Sequence, residues 1–332
     1  MKDKKLFNLL YLFIAASIMF INAGCSKDET TAPPVTVNES EVLVQYLEST
    51  GGDFINTAAP PMITATEVNA LINSADSLNI AILDIRSATD FGAGHIKHAV
   101  NVTVADILNY YQTNNLSGKT KVIITCYTGQ TAGFATTILR LAGYSSVFDL
   151  KWGMCSWAYP DRWNNAKNNG QNNPITLQTT ANVKNAVGSL PILNTGKTTG
   201  AEILTNRLST IATEGFGNAS IDRTALYSNR SNYYIVNYWS ETDYNIGHIE
   251  GAIQYTPKFA FKLANDLKTL PTNKTIVVYC YTGQTSAHVA AFLRLLGYDA
   301  KSLLYGANNL FYDTMPSSKW SDTECKNYPV FQ

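Results

Sequence analysis

Lys121-Val122-Ile123-Ile124-Thr125 runs straight into Cys126-Tyr127-Thr128-Gly129-Gln130-Thr131-Ala132. At an offset of 154, Thr275-Ile276-Val277-Val278-Tyr279 runs into Cys280-Tyr281-Thr282-Gly283-Gln284-Thr285-Ser286. A second block, Thr89-Asp90-Phe91 followed by Gly94-His95-Ile96, returns as Thr242-Asp243-Tyr244 followed by Gly247-His248-Ile249 at an offset of 153. Two blocks in one order at nearly one offset are not coincidence. The period is far longer than that of a solenoid repeat, so the chain carries a duplicated domain.

Each copy repeats the same local pattern. Residues 80–85 and 121–125, with counterparts 233–238 and 275–279, are short, almost continuous apolar runs. Such runs suit strands of a parallel sheet buried on both faces. After each cysteine, apolar residues fall at helical spacing: Ala135, Ile138, Leu139 and Ala142, then Val289, Phe292, Leu293 and Leu296. Gly143 and Gly297 stand where those helices should stop. Strand, loop, helix, strand is the order of an α/β fold. Residues 164–185 are crowded with Asn, Gln, Lys and Thr. They read as a linker, which divides the chain into copy one at 42–163, a linker at 164–190 and copy two at 191–332.

The composition agrees. A chain of 332 residues has room for two domains. The 25 basic and 25 acidic side chains balance, which argues against a nucleic-acid partner, since that needs a basic face. At 45% apolar and 11% aromatic, the chain is no disordered segment. Five cysteines are too few for a disulfide scaffold. The four histidines and five cysteines show no metal-ligand spacing, and there is no Gly-rich nucleotide fingerprint. No cofactor is therefore expected.

At the N-terminus, Lys2, Lys4 and Lys5 precede a 16-residue apolar run at 6–21, followed by Asn22-Ala23-Gly24-Cys25. The run is shorter than the roughly 20 residues of a membrane-spanning helix and reads as an export signal over 1–24. Asn22-Ala23-Gly24-Cys25 resembles the lipobox of bacterial lipoproteins, with Asn22 where that motif usually has an aliphatic residue. The resemblance implies lipidation of Cys25 and anchoring to a bacterial membrane in the cell envelope. Residues 25–41, with Lys27-Asp28-Glu29 and Pro33-Pro34, then form a tether resembling those of surface lipoproteins. The alternative is a secreted protein with an incidental Cys25.

Several landmarks together resemble a rhodanese domain. In copy one they are Asp84-Ile85-Arg86, Phe91, Gly94-His95-Ile96, Ala99, the loop from Cys126 to Thr131, Gly143-Tyr144, Trp152-Gly153 and Trp157. Copy two has Gly247-His248-Ile249-Glu250-Gly251-Ala252, the loop from Cys280 to Thr285, Gly297-Tyr298 and Tyr305-Gly306. The resemblance spans about 62–163 and 218–315. It implies a five-stranded parallel sheet flanked by helices in each copy. It also implies sulfur transfer through a persulfide on Cys126 and Cys280, from a small donor to a thiol or other nucleophile.

The loop chemistry fits that implication. A loop between a buried strand and a helix offers unpaired N–H groups and the positive end of the helix dipole, which should stabilise a thiolate and lower its pKa. Gly129 and Gly283 should let the loop close round the sulfur. Gln130 and Gln284 belong to the same loops, and Tyr127, Thr128, Thr131, Tyr281, Thr282 and Thr285 offer hydroxyls for a bound anion. The alternative for both cysteines is a structural, buried thiol. His95 and His248 read as structural, Asp84 and Arg86 as a supporting polar pair, and Asp90 and Asp243 as helix caps. Neither loop holds Arg or Lys, and six positions after each cysteine stand Ala132 and Ser286. Phosphatases and arsenate reductases built on this fold resemble Cys, five residues, then Arg, which supplies a guanidinium for a doubly charged oxyanion, so phosphatase chemistry is not expected here. A less charged persulfide or polysulfide donor is as well suited as thiosulfate.

The copies differ. Asp84 and Arg86 become Asn237 and Trp239, and Cys155 becomes Asn308. Cys155 is a candidate resolving thiol for Cys126, against the alternatives of a spectator or a partner for Cys325. Two function classes stand: a sulfurtransferase, and a non-catalytic module binding an anion or a protein.

Overall fold

The computed structural model describes residues 38–168 and 176–332. The expected signal at 1–24, Cys25 and most of its tether lie outside the described residues. Copy one contains strands β1 (Met62–Ile63), β2 (Ile80–Asp84), β3 (Ala99–Asn101), β4 (Lys121–Thr125) and β5 (Val147–Leu150), after helix α1 (Glu39–Ser49). Helix α2 (Gln130–Leu141) joins β4 to β5. Strand β6 (Leu177–Gln178) and helix α3 (Gly200–Asn218, broken at Gly215) lead into copy two. Its strands are β7 (Ser220–Ile221), β8 (Tyr233–Asn237), β9 (His248–Ile249), β10 (Ile253–Gln254), β11 (Thr275–Tyr279) and β12 (Ala300–Leu303), with helix α4 (Gln284–Leu295) after β11.

Both main sheets have five strands, ordered β1-β5-β4-β2-β3 and β7-β12-β11-β8-β10, and every pairing within them is parallel. The duplicated sequence thus folds into a duplicated topology, two α/β domains with parallel sheets flanked by helices. Strands expected at 80–85 and 233–238 end one residue sooner, although Ile85 and Tyr238 still donate to Thr125 O and Tyr279 O at 2.9 Å. Val122, Ile123 and Ile124 of β4 are fully buried, as both-face coverage requires. Helix α2 ends as its glycine suggested: Gly143 has φ +95°, and Tyr144 N donates back to Leu139 O at 3.1 Å.

Helices α2 and α4 pack on each other and are buried almost all round. A helix without a wet face belongs inside a core. Phe134, Ile138 and Leu141 share that core with Val289, Phe292 and Leu293. Gly133 allows the close approach, since a Cβ there would stand 3.1 Å from both Gln284 O and His288 Nε2. One buried aspartate–histidine contact crosses this zone. His288 Nε2 lies 3.2 Å from Asp149 Oδ1, and His288 Nδ1 lies 2.7 Å from Thr137 Oγ1.

The terminal segments cross over. Leu43, Val44 and Leu47 of α1 pack with Ile203, Leu204 and Leu208 of α3, and Ser40 Oγ donates to Leu296 O at 2.9 Å. The C-terminal tail lies on copy one instead. Trp157 Nε1 donates to Pro329 O, and His95 and Phe331 exchange backbone hydrogen bonds, all at 2.9 Å.

The expected linker is more structured than its composition implied. Residues 164–166 finish a short helix, 177–178 pair antiparallel with β9, and 169–175 lie outside the described residues. Its asparagines tie it to copy two: the Asn182 and Asn185 amides donate to Ala252 O and Thr269 O at 2.9 and 3.1 Å. Side chains that lack apolar periodicity here do their work as hydrogen-bond donors. Among the described residues, no helix is long and apolar enough to cross a membrane.

Candidate active site

Both cysteines open the turn between the central strand of their sheet and the helix that follows. Gly129 and Gly283, at φ +84° and +75°, are the N-cap residues of α2 and α4. What forbids a side chain there is the other copy rather than the sulfur. A Cβ on Gly129 would lie 2.3 Å from Gln284 Oε1, and one on Gly283 would lie 2.3 Å from Gln130 Oε1. Gln284 Oε1 accepts from Trp152 N and Gln130 Oε1 from Tyr305 N, each at 2.7 Å. The two glutamines, expected in a substrate loop, instead lock the copies together through reciprocal bonds.

Cys126 Sγ accepts from Gly129 N at 3.2 Å and Ala132 N at 3.3 Å. Cys280 Sγ accepts from Ser286 N at 3.3 Å, and its thiol donates to Ser286 Oγ at 3.5 Å. The anion cradle expected from the sequence is present, but the thiols are only 2% and 1% exposed. Burial pushes the Cys126 thiol up, and the Asp84 charge adds to it, against the pull of the Ala132, Thr128 and Gly129 N–H groups. The lowered pKa expected for that loop is thus reversed, because losing water penalises the charged form more than those donors favour it.

The tyrosine hydroxyls and the first threonine of each loop are engaged with the protein. Tyr127 OH donates to Asp90 Oδ2 and Tyr281 OH to Asp243 Oδ2. Thr128 Oγ1 accepts from the Gln130 amide at 3.0 Å, and Thr282 Oγ1 from Gln284 N at 3.1 Å. Thr131 and Thr285 are half-buried on the first helical turn. Asp90 and Asp243 are not the caps; Ser87 and Ser240 are, accepting from Asp90 N at 3.1 Å and Asp243 N at 3.2 Å. The aspartates serve as anchors for the loop tyrosines. His95 and His248 place Nδ1 3.0 and 2.9 Å from Phe91 O and Tyr244 O, and stack on those same aromatic rings. Arg86 forks onto Asp84, with Nη2 2.7 Å from Oδ2, and also donates to Gly94 O at 2.7 Å.

A rhodanese-like domain model matches residues 64–159 and again 224–312. The chain belongs to the rhodanese-like domain family. It is 31% identical over 107 residues to the uncharacterized protein YibN of Escherichia coli, covering 31% of this chain and 70% of that one. It is 26% identical over 90 residues to the thiosulfate sulfurtransferase GlpE of Shewanella oneidensis, covering 27% of this chain and 87% of the relative. The crystal structure of a rhodanese-related protein from Thermoplasma volcanium is 25% identical, with a TM-score of 0.25, covering 29% of this chain and 94% of that chain.

The two rhodanese-like copies present different surroundings. Beside the copy-one loop is a cleft of about 340 Å³ lined by Arg86, Asp90, Tyr127, Cys155, Tyr159 and Arg162, among others. The Arg162 guanidinium lies 3.8 Å from the Tyr127 ring centre. In copy two, Trp239 stacks on Tyr281 at 4.7 Å, and Asn308 donates to Tyr281 O and Ser318 O at 2.8 and 3.1 Å. An aromatic ring and an amide thus replace a guanidinium and a thiol.

Sequence reasoning missed Arg162, and it missed the tryptophan cluster of Trp152, Trp163 and Trp320 around Cys155 and Cys325. Arg162 sits outside every motif, so only the fold brings it to the loop. Cys155 and Cys325 are both free thiols. Among the described residues, no cluster of His, Cys, Asp and Glu could hold a metal ion.

Proposed function

We propose that the protein is a sulfurtransferase that carries a sulfane sulfur as a persulfide on Cys126, with Cys280 as a second carrier. The observation that supports this reading most is the pair of backbone N–H groups, from Gly129 and Ala132, aimed at Cys126 Sγ. An anionic sulfur chain growing from Cys126 meets those donors and the N-terminus of α2. The cysteine thiolate attacks the donor, a thiosulfate, persulfide or polysulfide, and the outer sulfur then leaves to a thiol or another nucleophile.

The test is the intact mass of the full-length, reduced chain after incubation with thiosulfate or with polysulfide. A gain of one sulfur per working cysteine, removed by cyanide or a small thiol, is expected. Cys126→Ser and Cys280→Ser should each lose their own increment. Since burial holds the Cys126 thiol up, its loading should quicken about tenfold per pH unit through the neutral range, as the thiolate fraction rises. A flat profile would contradict that burial effect.

A second reading, a non-catalytic rhodanese-like module binding an anion or a protein, is favoured by the near-complete burial of both thiols. Failure of the folded protein to load from either donor would select it.

We propose further that the protein is exported and lipid-anchored through Cys25, on the strength of the basic, apolar and small-residue order ahead of that cysteine. Cys25→Ala should leave the chain unprocessed and abolish labelling by a fatty-acid probe. Undiminished labelling would reject the anchor.

A further inference from the structure

Two turns hold a backbone conformation that bulky side chains rarely adopt. Trp152 has φ +66° and Tyr305 has φ +62°, in the left-handed region, where such residues persist only when their surroundings hold them. Each turn also backs the cysteine loop of its own copy. In copy one, Met154 N donates to Cys126 O at 2.8 Å and Cys155 N to Tyr127 O at 3.1 Å. In copy two, Ala307 N and Asn308 N donate to Cys280 O and Tyr281 O at 3.1 and 3.2 Å.

What holds each left-handed residue comes from the other copy. Gln284 Oε1 accepts from Trp152 N, and Gln130 Oε1 accepts from Tyr305 N, each at 2.7 Å. Both glutamines are buried. The same Gln284 oxygen lies where a Cβ of Gly129 would stand, and Gly129 N is a donor to Cys126 Sγ. Gln284 Nε2 is buried without a hydrogen-bond partner, so among the described residues its side chain bonds only across the copies. A buried amide with unmet donors is a costly way to fill space. Gln130 adds a bond inside its own loop, from Nε2 to Thr128 Oγ1 at 3.0 Å.

From these crossed bonds we infer that Gln284 is a positioning residue for Cys126, and Gln130 for Cys280. Each sulfur site is completed by a side chain of the other copy. The functional part of this inference rests on the persulfide reading of the two cysteines.

The route in copy one is short. Gln284 Oε1 fixes Trp152, which sets Gly153 close beside Cys126 O and Gly129 N. Without that acceptor the Trp152 N–H is left unmatched in the interior, an expense the turn escapes by relaxing. The Cys126 loop then loses the backing that keeps Gly129 N aimed at the sulfur. A clamp that only joined the copies would act differently. Its loss would disturb the loop that carries the substitution at least as much as the opposite one.

The test uses the full-length, reduced chain carrying Gln284→Met, which keeps the bulk of the side chain and removes the acceptor. Urea unfolding checks that the variant is folded. Hydrogen exchange should quicken about tenfold in the copy-one peptide that holds the Trp152 N–H. Loading of Cys126 from inorganic polysulfide, read by peptide mass, should slow about tenfold or more, and that of Cys280 by less than about threefold. Gln130→Met should instead slow Cys280 the more, and it supplies the reading should Gln284→Met not fold. Unchanged exchange at Trp152, or a greater loss at Cys280 than at Cys126 in Gln284→Met, overturns the positioning role and leaves the persulfide reading intact. A wild-type chain that takes up no sulfur overturns the persulfide reading, and with it the role of the glutamines at the site.

Discussion

Gly153→Ala is expected to abolish sulfur loading at Cys126 and to lower stability by about 2–4 kcal/mol. Gly153 has φ +59° and ψ −150°, a region that only glycine adopts without strain. A Cβ there would stand 2.5 Å from Cys126 O and 2.6 Å from Gly129 N. Neither atom can move without cost to the chemistry, since one belongs to the cysteine itself and the other donates to its sulfur. Gly306 repeats the arrangement in copy two, with φ +51° and a Cβ position 2.3 Å from Cys280 O. Gly92→Ala is the control: that glycine is exposed on a short helix with nothing within 4 Å of its Cβ position. It should be neutral or stabilising by up to about 1 kcal/mol. Urea unfolding and intact-mass loading read both effects, and normal loading by Gly153→Ala would refute the argument.

Asp149→Ala should cost about 1–3 kcal/mol, the usual result of leaving a buried polar group, here His288, without the atom it faces. Asp149 and His288 are both fully buried where copy one meets α4. Neither carboxylate oxygen, nor the His288 Nε2 that lies 3.2 Å from Oδ1, has a hydrogen-bond partner. Burial pulls the nearby Arg140 guanidinium down while the Asp149 charge opposes it, so the substitution also removes a charge that favours Arg140. Replacing both members, Asp149→Val with His288→Phe, should cost less than the sum of the single changes, because no polar atom is then left unmatched. A double-mutant cycle by urea unfolding measures this. Strictly additive losses would show that the contact contributes nothing of its own.

The sheets were legible because their information is local. The apolar runs of β4 and β11, the glycine stops of α2 and α4 and the offset between copies are all written within a few residues of one another. The position of each cysteine followed from the same local order. What sequence could not supply was anything settled across the chain. Gln130 and Gln284 look like loop residues, and only the packing of α2 on α4 turns them into mutual clamps. The helix N-terminus suggested an acidic thiol, but the burial that reverses the sign comes from distant segments. Arg162 carries no motif and becomes part of the site only because a short helix lays it over Tyr127. Asp90 was misread for a subtler reason: Ser87 and Asp90 together form the helix start, and the serine is the cap.

The crossed ends of the chain bear on how the protein is made. Helix α1 finds its partner in α3, more than 150 residues later in the sequence, and the C-terminal strap docks back beside His95 and Trp157. Copy one is therefore unfinished until residues 328–331 have left the ribosome, and α1 waits for copy two. Contacts of such separation slow folding. They also make the copies poor candidates for expression one at a time, since each would lose a segment that covers its core. The two similar domains share one compact unit at 38–332, tied across by α1 and by the strap at 328–331.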